Sequence, residues 1–176
     1  MAGENFKNRH KGHRSKMAGK LGIYLENDKA TIIEAAGISV KNCLNVSFAD
    51  IIEGGYEGKP STGLHIETQK GELIRNTLRL KKINTKSAFI GLSSKDLFIR
   101  SFHMPSLNRG EVETGVRFEA KKYIPFKTED LTFDYQSQHK KKAAKMDILF
   151  TAIVNENLQR YVTMMDAAGL RIDSIE

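Results

Sequence analysis

The side chains that could do chemistry in this chain are five histidines, one cysteine and the acids around a glycine cluster. The histidines stand at His10, His13, His65, His103 and His139. His10 and His13 lie three apart, but no carboxylate or cysteine joins them, so the pair supports no metal site. None of the five has an acid or thiol at a spacing diagnostic of acid–base or nucleophilic catalysis, and His65 and His103 read as ordinary strand or surface residues. Cys43 has no second cysteine in the chain, which excludes an internal disulfide and a cysteine–zinc framework. It sits among alternating apolar residues and is expected to be a buried free thiol rather than a nucleophile. The cluster Glu53-Gly-Gly-Tyr-Glu-Gly58 could be mistaken for a phosphate loop. It lacks the Gly-Lys-Ser/Thr ending that would hold phosphate and metal, and it carries two acids. The sequence therefore predicts a protein without catalytic residues, metal or cofactor.

The elements that would position these residues follow from apolar spacing. Residues 20–26 and 30–36 are short β-branched-rich runs separated by the turn pair Asn27-Asp28, a hairpin. Residues 38–48 alternate less regularly and read as a third antiparallel strand. Residues 53–63, rich in glycine and containing Pro60, form a loop. Thr68 can cap a helix over about 69–82 with Leu73, Thr77 and Leu80 on one face, although Gly71 weakens its first turn.

Residues 87–92 and 97–104 read as strands around the turn Ser93–Asp96, and Pro105 ends the second because it cannot donate a ladder hydrogen bond. A helix follows, capped by Ser106 or Asn108, with Val112, Val116, Ala120 and Tyr123 on one buried face. Ile124-Pro125 must stop it, because the residue before proline is pushed away from helical ψ. Tyr123, Ile124 and Phe126 then form an apolar corner. Residues 131–138 and 146–154 make a hairpin around a lysine-rich turn. A last helix over about 155–168 places Leu158, Tyr161, Val162 and Met165 on one face, and Gly169 can adopt the left-handed conformation that ends it. Residues 171–175 begin a further strand, which suggests a fragment or reduced version of a longer design.

Charge distribution limits the partners. The net charge is +7, but residues 1–20 hold six basic residues against one acid and so carry five of those charges. The remainder is nearly balanced and offers no basic face interleaved with aromatics, so a nucleic-acid binder is not expected. The segment 1–19 reads as a disordered basic leader. It can contact anionic lipid, where each Lys or Arg near the surface is worth ~1 kcal/mol. Equally, it is a solvated or added tail, with Met17 an alternative start. No apolar run reaches the ~18–20 residues of a membrane span and no signal peptide is present, so a cytoplasmic protein is expected.

Several ordered motifs resemble the PilM family, the actin-like cytoplasmic component of type IV pilus machines, related to FtsA and GspL. They are Phe89-Ile-Gly-Leu92, Phe98-Ile-Arg-Ser-Phe-His-Met-Pro105, Glu111-Val-Glu113, Phe118-Glu-Ala-Lys-Lys-Tyr-Ile-Pro-Phe126, Phe133-Asp-Tyr-Gln136, Met146-Asp-Ile-Leu149 and Ala168-Gly-Leu-Arg-Ile-Asp173. The likeness covers residues 21–176. It implies an α/β fold: a partial actin-like (ribonuclease H-like) subdomain over 20–96 and 169–176, with an inserted small α+β subdomain of strand-helix-strand-strand type over 97–168. Arg100, Pro105, Glu119, Tyr123, Pro125, Phe126, Asp134 and Tyr135 carry the signature, and their expected role is structural, with Arg100 and Glu119 candidate partners.

The resemblance also exposes a departure. The family commonly opens with Gly-Ile-Asp-Ile-Gly-Ser, in which the aspartate manages the metal-bound nucleotide. Here the stretch reads Gly22-Ile-Tyr-Leu-Glu-Asn27, with Tyr24 in the aspartate's place and Glu26 where phosphate would approach. No nucleotide cofactor is therefore expected. The implied function is a non-catalytic adaptor or scaffold of a type IV pilus or type II secretion-like assembly, peripheral to the bacterial inner membrane. Its implied partner is the N-terminal cytoplasmic segment of a PilN-like membrane protein, with a pilus assembly ATPase or a second copy as further candidates. The alternative is a shortened, ATP-binding PilM-like protein.

Overall fold

The computed structural model describes residues 19–53, 63–108, 110–139 and 144–176. The leader, most of the glycine cluster and the turn Lys140–Lys142 lie outside them. The first strands follow the alternation in the sequence. In β1 (Lys20–Leu25), Leu21, Ile23 and Leu25 are buried; in β2 (Lys29–Ala36), Ala30 and Ile32 join them. The Glu26 N–H donates to the Lys29 carbonyl at 2.9 Å and closes the hairpin at Asn27-Asp28. The third strand, β3 (Ser39–Ser47), pairs antiparallel with β2. A short helix, α1 (Ala49–Glu53), precedes the longer α2 (Gly63–Leu80). β4 (Ser87–Leu92) and β8 (Arg171–Ile175) complete a five-stranded sheet in the order β3-β2-β1-β4-β8, with β1, β4 and β8 parallel.

Parallel neighbours need a crossover, because a tight turn reverses the chain. Between β4 and β8 that crossover contains an entire second lobe followed by α4 (Asn155–Ala168). α4 packs against α2 on one face of the large sheet, burying Met164, Met165 and Ala168 beside Ile74 and Leu78. The expected insert over 97–168 thus divides differently: α4 shares the large lobe's core, and the inserted lobe comprises β5 to β7, residues 97–154. Gly169 ends α4 in the left-handed conformation (φ 70°), with the Leu170 N–H reaching the Met165 carbonyl at 3.0 Å.

α2 departs from its expected form. It begins at Gly63, so Thr68 lies inside it and does not cap it. Its buried line runs through Glu67, Lys70, Gly71, Ile74 and Leu78, while Leu80 is 78% exposed. Gly71 is the reason. A Cβ there would stand 2.2 Å from the Met164 carbonyl oxygen and 2.7 Å from Ala167 Cβ, so the bare backbone is what lets the two helices touch. Tertiary contact outweighs the residue's poor helix propensity. Cys43 is likewise corrected: it is exposed, because β3 is an edge strand and Leu44, not Cys43, packs towards the core.

The small lobe consists of β5 (Leu97–Pro105), α3 (Val112–Ala120), β6 (Leu131–His139) and β7 (Lys145–Val154). Its strands form an antiparallel sheet in the order β5-β7-β6, and α3 covers one face. Val112, Val116 and Ala120 are buried as their spacing requires, against Phe102, Met146, Ile148 and Phe150, whereas Tyr123, expected on the same face, lies beyond the end of α3 and is exposed. Glu111, not Ser106 or Asn108, occupies the N-cap of α3, without a side-chain cap bond.

Candidate functional site

Both lobes meet at the carboxyl ends of β1 and β4. The β1–β2 turn lies there, and so does the 3-10 turn Ser94–Asp96 that leads into β5. α2 and α4 run side by side in the same direction, Gly71 beside Met164 and Glu67 beside Arg160. Their N-terminal halves therefore deliver polar side chains to this junction.

Glu67 is only 2% exposed. Its Oε1 accepts from Arg160 Nη2 at 2.7 Å and from Lys70 Nζ at 3.4 Å, whereas its Oε2 is buried and meets no donor among the described residues. Lys70, also buried, stands 5.5 Å above the Phe48 ring. The Tyr161 hydroxyl donates to Asp96 Oδ2, tying α4 to the turn between the lobes. Burial first, and then this bond to Asp96, push the Tyr161 phenol well above its ordinary pKa. The hydrogen bond to Glu67 holds the Arg160 guanidinium above its own usual value. Around these groups lies a cavity of about 30 Å³, whose lining also includes Glu26, Asn27 and Asn157.

The residues of the expected nucleotide stretch lie on β1 and its turn. A Cβ at Gly22 would meet nothing within 4 Å, so this glycine leaves open space beside the strand. Tyr24 projects from the face opposite α2 and lies over Gly91, where a Cβ would come within 3.2 Å of Tyr24 Cδ2. Glu26 pairs with Lys29 at 3.2 Å, and that carboxylate raises the Lys29 pKa. Lining residues Glu26, Glu67 and Asp96 bring three carboxylates to the junction; Lys70 and Arg160 pair with Glu67, and Lys29 with Glu26.

The signature residues of the small lobe lie elsewhere, and the structure brings only some of them together. Tyr123 stacks on Phe102 with ring centroids 5.3 Å apart, and Phe126 meets Phe98 at 5.4 Å, so the Pro125 corner clamps α3 onto β5. Ile124 is buried between them, and with Pro125 and Phe126 it floors an open groove of about 430 Å³ flanked by Lys121 and Lys127. Arg100 and Glu119 take separate partners: Arg100 Nη1 donates to the Ile99 carbonyl at 2.8 Å, and Glu119 accepts from Lys122 Nζ at 2.8 and 2.9 Å. Asp134 Oδ1 accepts from the Tyr135 N–H at 2.8 Å, Tyr135 packs against the small core, and Pro105 faces Lys145 at an exposed strand end.

Sequence reasoning missed the junction cluster of Glu67, Lys70, Asp96, Arg160 and Tyr161. The i,i+3 pair Glu67 and Lys70 was a usable signal, but starting α2 after Thr68 left it outside the helix. His103 Nδ1 lies 2.6 Å from Asp147 Oδ1 on an exposed strand face, and His65 faces Gln69 at 3.3 Å; neither joins the cluster. No group of three or more potential metal ligands occurs among the described residues.

An open sheet carrying a strand-helix-strand-strand insert in its crossover is a partial actin-like fold. The same fold is found in the solved PilM–PilN type IV pilus biogenesis complex, at 18% identity and a TM-score of 0.72 over 89% of this chain and 46% of that one. It is found too in the cytoplasmic domain of EpsL, an inner membrane component of the type II secretion system of Vibrio cholerae. The values there are 13% identity and a TM-score of 0.60, over 89% of this chain and 56% of that one. This chain thus spans about half the length of these two structures. The family model for type IV pilus assembly protein PilM matches residues 64–175, and the chain belongs to that family.

Proposed function

We propose that the chain is a non-catalytic adaptor of a type IV pilus or related secretion assembly. In this reading it binds the N-terminal cytoplasmic segment of a PilN-like membrane protein in the crevice between its lobes and so stands at the inner face of the membrane. The observation that carries the reading is the carboxylate-lined junction. A phosphate site needs converging N–H groups and cations, but here Glu26 replaces the small residue of the family pattern and lies in one lining with Glu67 and Asp96. The two nearby cations are already directed at Glu67 Oε1. A peptide brings the N–H donors that such an acceptor-rich crevice can use. Among the described residues no helix is long and apolar enough to cross a membrane, so attachment through a partner suits the chain.

One feature favours a second reading, nucleotide binding by a shortened PilM-like protein. The β1–β2 turn follows the carboxyl end of β1, beside that of its parallel neighbour β4, which is where open α/β sheets receive ligands. Calorimetric titration of the chain with ATP–magnesium, and separately with the N-terminal peptide of a PilN-like protein, separates the two. Heat from the peptide alone supports the adaptor. Heat from ATP without any from the peptide overturns it.

A further inference from the structure

The end of the large lobe remote from the junction gathers cations, and we propose that it rests on the phosphate headgroups of an anionic bilayer. β1, β4 and β8 begin there, and the last turn of α2 stops beside them. Between these elements lies an open basin of about 560 Å³ whose lining includes Lys82, Lys86 and Arg171. Asn84 and Thr85 add neutral donors. The one carboxylate in the lining, Glu34, already accepts from Asn42 at 2.7 Å and from Thr85 at 3.4 Å. Arg171 is held by Asp173 at 3.1 Å, but among the described residues neither Lys82 nor Lys86 pairs with a carboxylate.

Scattered solvated lysines need no special placement, and Lys82 has one. It holds φ 56° just beyond α2, where glycine is the usual residue, and the Ile83 N–H reaches back to the Leu78 carbonyl at 2.9 Å. A side chain raises the energy of left-handed backbone, so stability is given up here for a cation on the rim of the basin. The end of α2 favours positive charge, but Arg79 and Lys81 already supply it, and no acid interrupts residues 79–86. Gly19, which also lines the basin, joins the fold to Lys7, Arg9, Lys11, Arg14 and Lys16 of the leader. Both sets of charges therefore act on one surface, and their contributions add. Nucleic acid fits less well, because no aromatic side chain lines the basin and stacked bases would find no platform. The carboxylate-lined junction lies at the other end of the same strands and stays accessible to a peptide.

Co-sedimentation of the whole chain with two sets of vesicles tests the surface: phosphatidylcholine alone, and equimolar phosphatidylcholine and phosphatidylglycerol. The chain should partition onto the second set only, and less as salt rises. Lys82→Gly and Lys86→Gln should each weaken that partition about fivefold, the effect of one lysine near an anionic surface. Lys145→Gln removes the same charge from an exposed site on the small lobe and should change it less than about twofold. Lys82→Gly also reports on folding. Glycine relieves the left-handed position, so its denaturation midpoint should rise while its binding falls, an outcome that a purely structural lysine would not give. Partition unaffected by Lys82→Gly and Lys86→Gln would place binding in the leader and overturn the proposal. Equal losses from all three variants would make it an effect of net charge and overturn it too, as would equal binding to both vesicle sets. Duplex DNA held more tightly than the vesicles at the same salt overturns the lipid assignment. None of these outcomes bears on the peptide titration above, which reads the opposite end of the sheet.

Discussion

The two lobes treat their polar and apolar residues in opposite ways. The five-stranded lobe buries Glu67 and Lys70 at the end of an otherwise aliphatic core and leaves its junction hydrophilic. The three-stranded lobe buries no charge among the described residues and is held by linked aromatics: Tyr123 on Phe102, Phe102 near Phe150, and Phe150 on Phe133. Of its exposed large apolar side chains, Tyr123 and Phe126 flank the proline corner, Phe118 lies on α3, and Ile99 and Leu149 lie on β5 and β7. The difference teaches where each lobe has latitude. Burial of apolar surface is non-directional, while a buried carboxylate fixes which donors must stand beside it.

The largest effect expected from breaking this contrast is in the small lobe. Phe150 is 1% exposed and stacks on Phe133, so Phe150→Ala should cost about 4 kcal/mol. Chemical denaturation followed by a probe in each lobe would show the small lobe melting first. Simultaneous loss of both lobes would mean that they unfold as one unit. Next is Gly71→Ala, where the added methyl meets the Met164 carbonyl at 2.2 Å and backbone must move. A loss of about 3 kcal/mol is expected, in the large lobe's transition. An unchanged midpoint would show that α2 and α4 can separate freely.

How much of this was legible in the sequence depended on whether a residue's role was local. Apolar, β-branched-rich runs bounded by turn residues located β1, β2, β4, β5 and β7, and the 3.6-residue spacing of Val112, Val116 and Ala120 located the buried face of α3. Gly169 marked a helix end because left-handed backbone is a property of one residue. Gly71 was misjudged because propensity penalises a glycine that only a second helix, almost a hundred residues later, makes necessary. The same blindness hid the junction: Glu67 and Arg160 are 93 positions apart, and no period or motif links them. The lobe boundary was displaced from 154 to 168 for a related reason, since α4's apolar face is equally able to cover either sheet until its partner α2 is known.

Arg160→Ala removes the closest donor to Glu67 and leaves a buried carboxylate with Lys70 alone. Loss of one partner of a fully buried pair costs about 3–5 kcal/mol, but Arg160 is about half exposed, and about 1–2 kcal/mol is expected. Arg160→Ala combined with Glu67→Leu and Lys70→Met should recover part of it, because apolar residues need no partners there, whereas Glu67→Leu without the second change would leave the buried Lys70 ammonium unpaired. Failure to recover would locate the defect in helix packing rather than in charge. Tyr161 then sharpens the electrostatic side. Its phenol pKa is raised in the folded chain above the ordinary 10.0, so above pH 10 the unfolded chain loses a proton that the folded chain keeps. Stability contributed by Tyr161 is complete below that value and is lost as pH rises through the folded pKa. Denaturation midpoints measured from pH 9 upward should fall, and Tyr161→Phe should fall less steeply.

The smallest effect is expected at Cys43, and it supplies a tool for the others. The thiol is exposed on the edge strand of the large lobe, away from both cores, so Cys43→Ser should shift stability by less than about 0.5 kcal/mol. For the same reason the native chain should react with a thiol reagent at a rate near that of the denatured chain. A fluorophore attached there reports on the large lobe alone, which makes the two-lobe comparison measurable in one sample. If Phe150→Ala leaves the Cys43-linked transition in place while aromatic circular dichroism from the small lobe is lost, the lobes are separately stable. Protection of Cys43 from the reagent would instead mean that the β3 edge is covered in solution, and the large lobe would then be bounded by a contact beyond its own sheet.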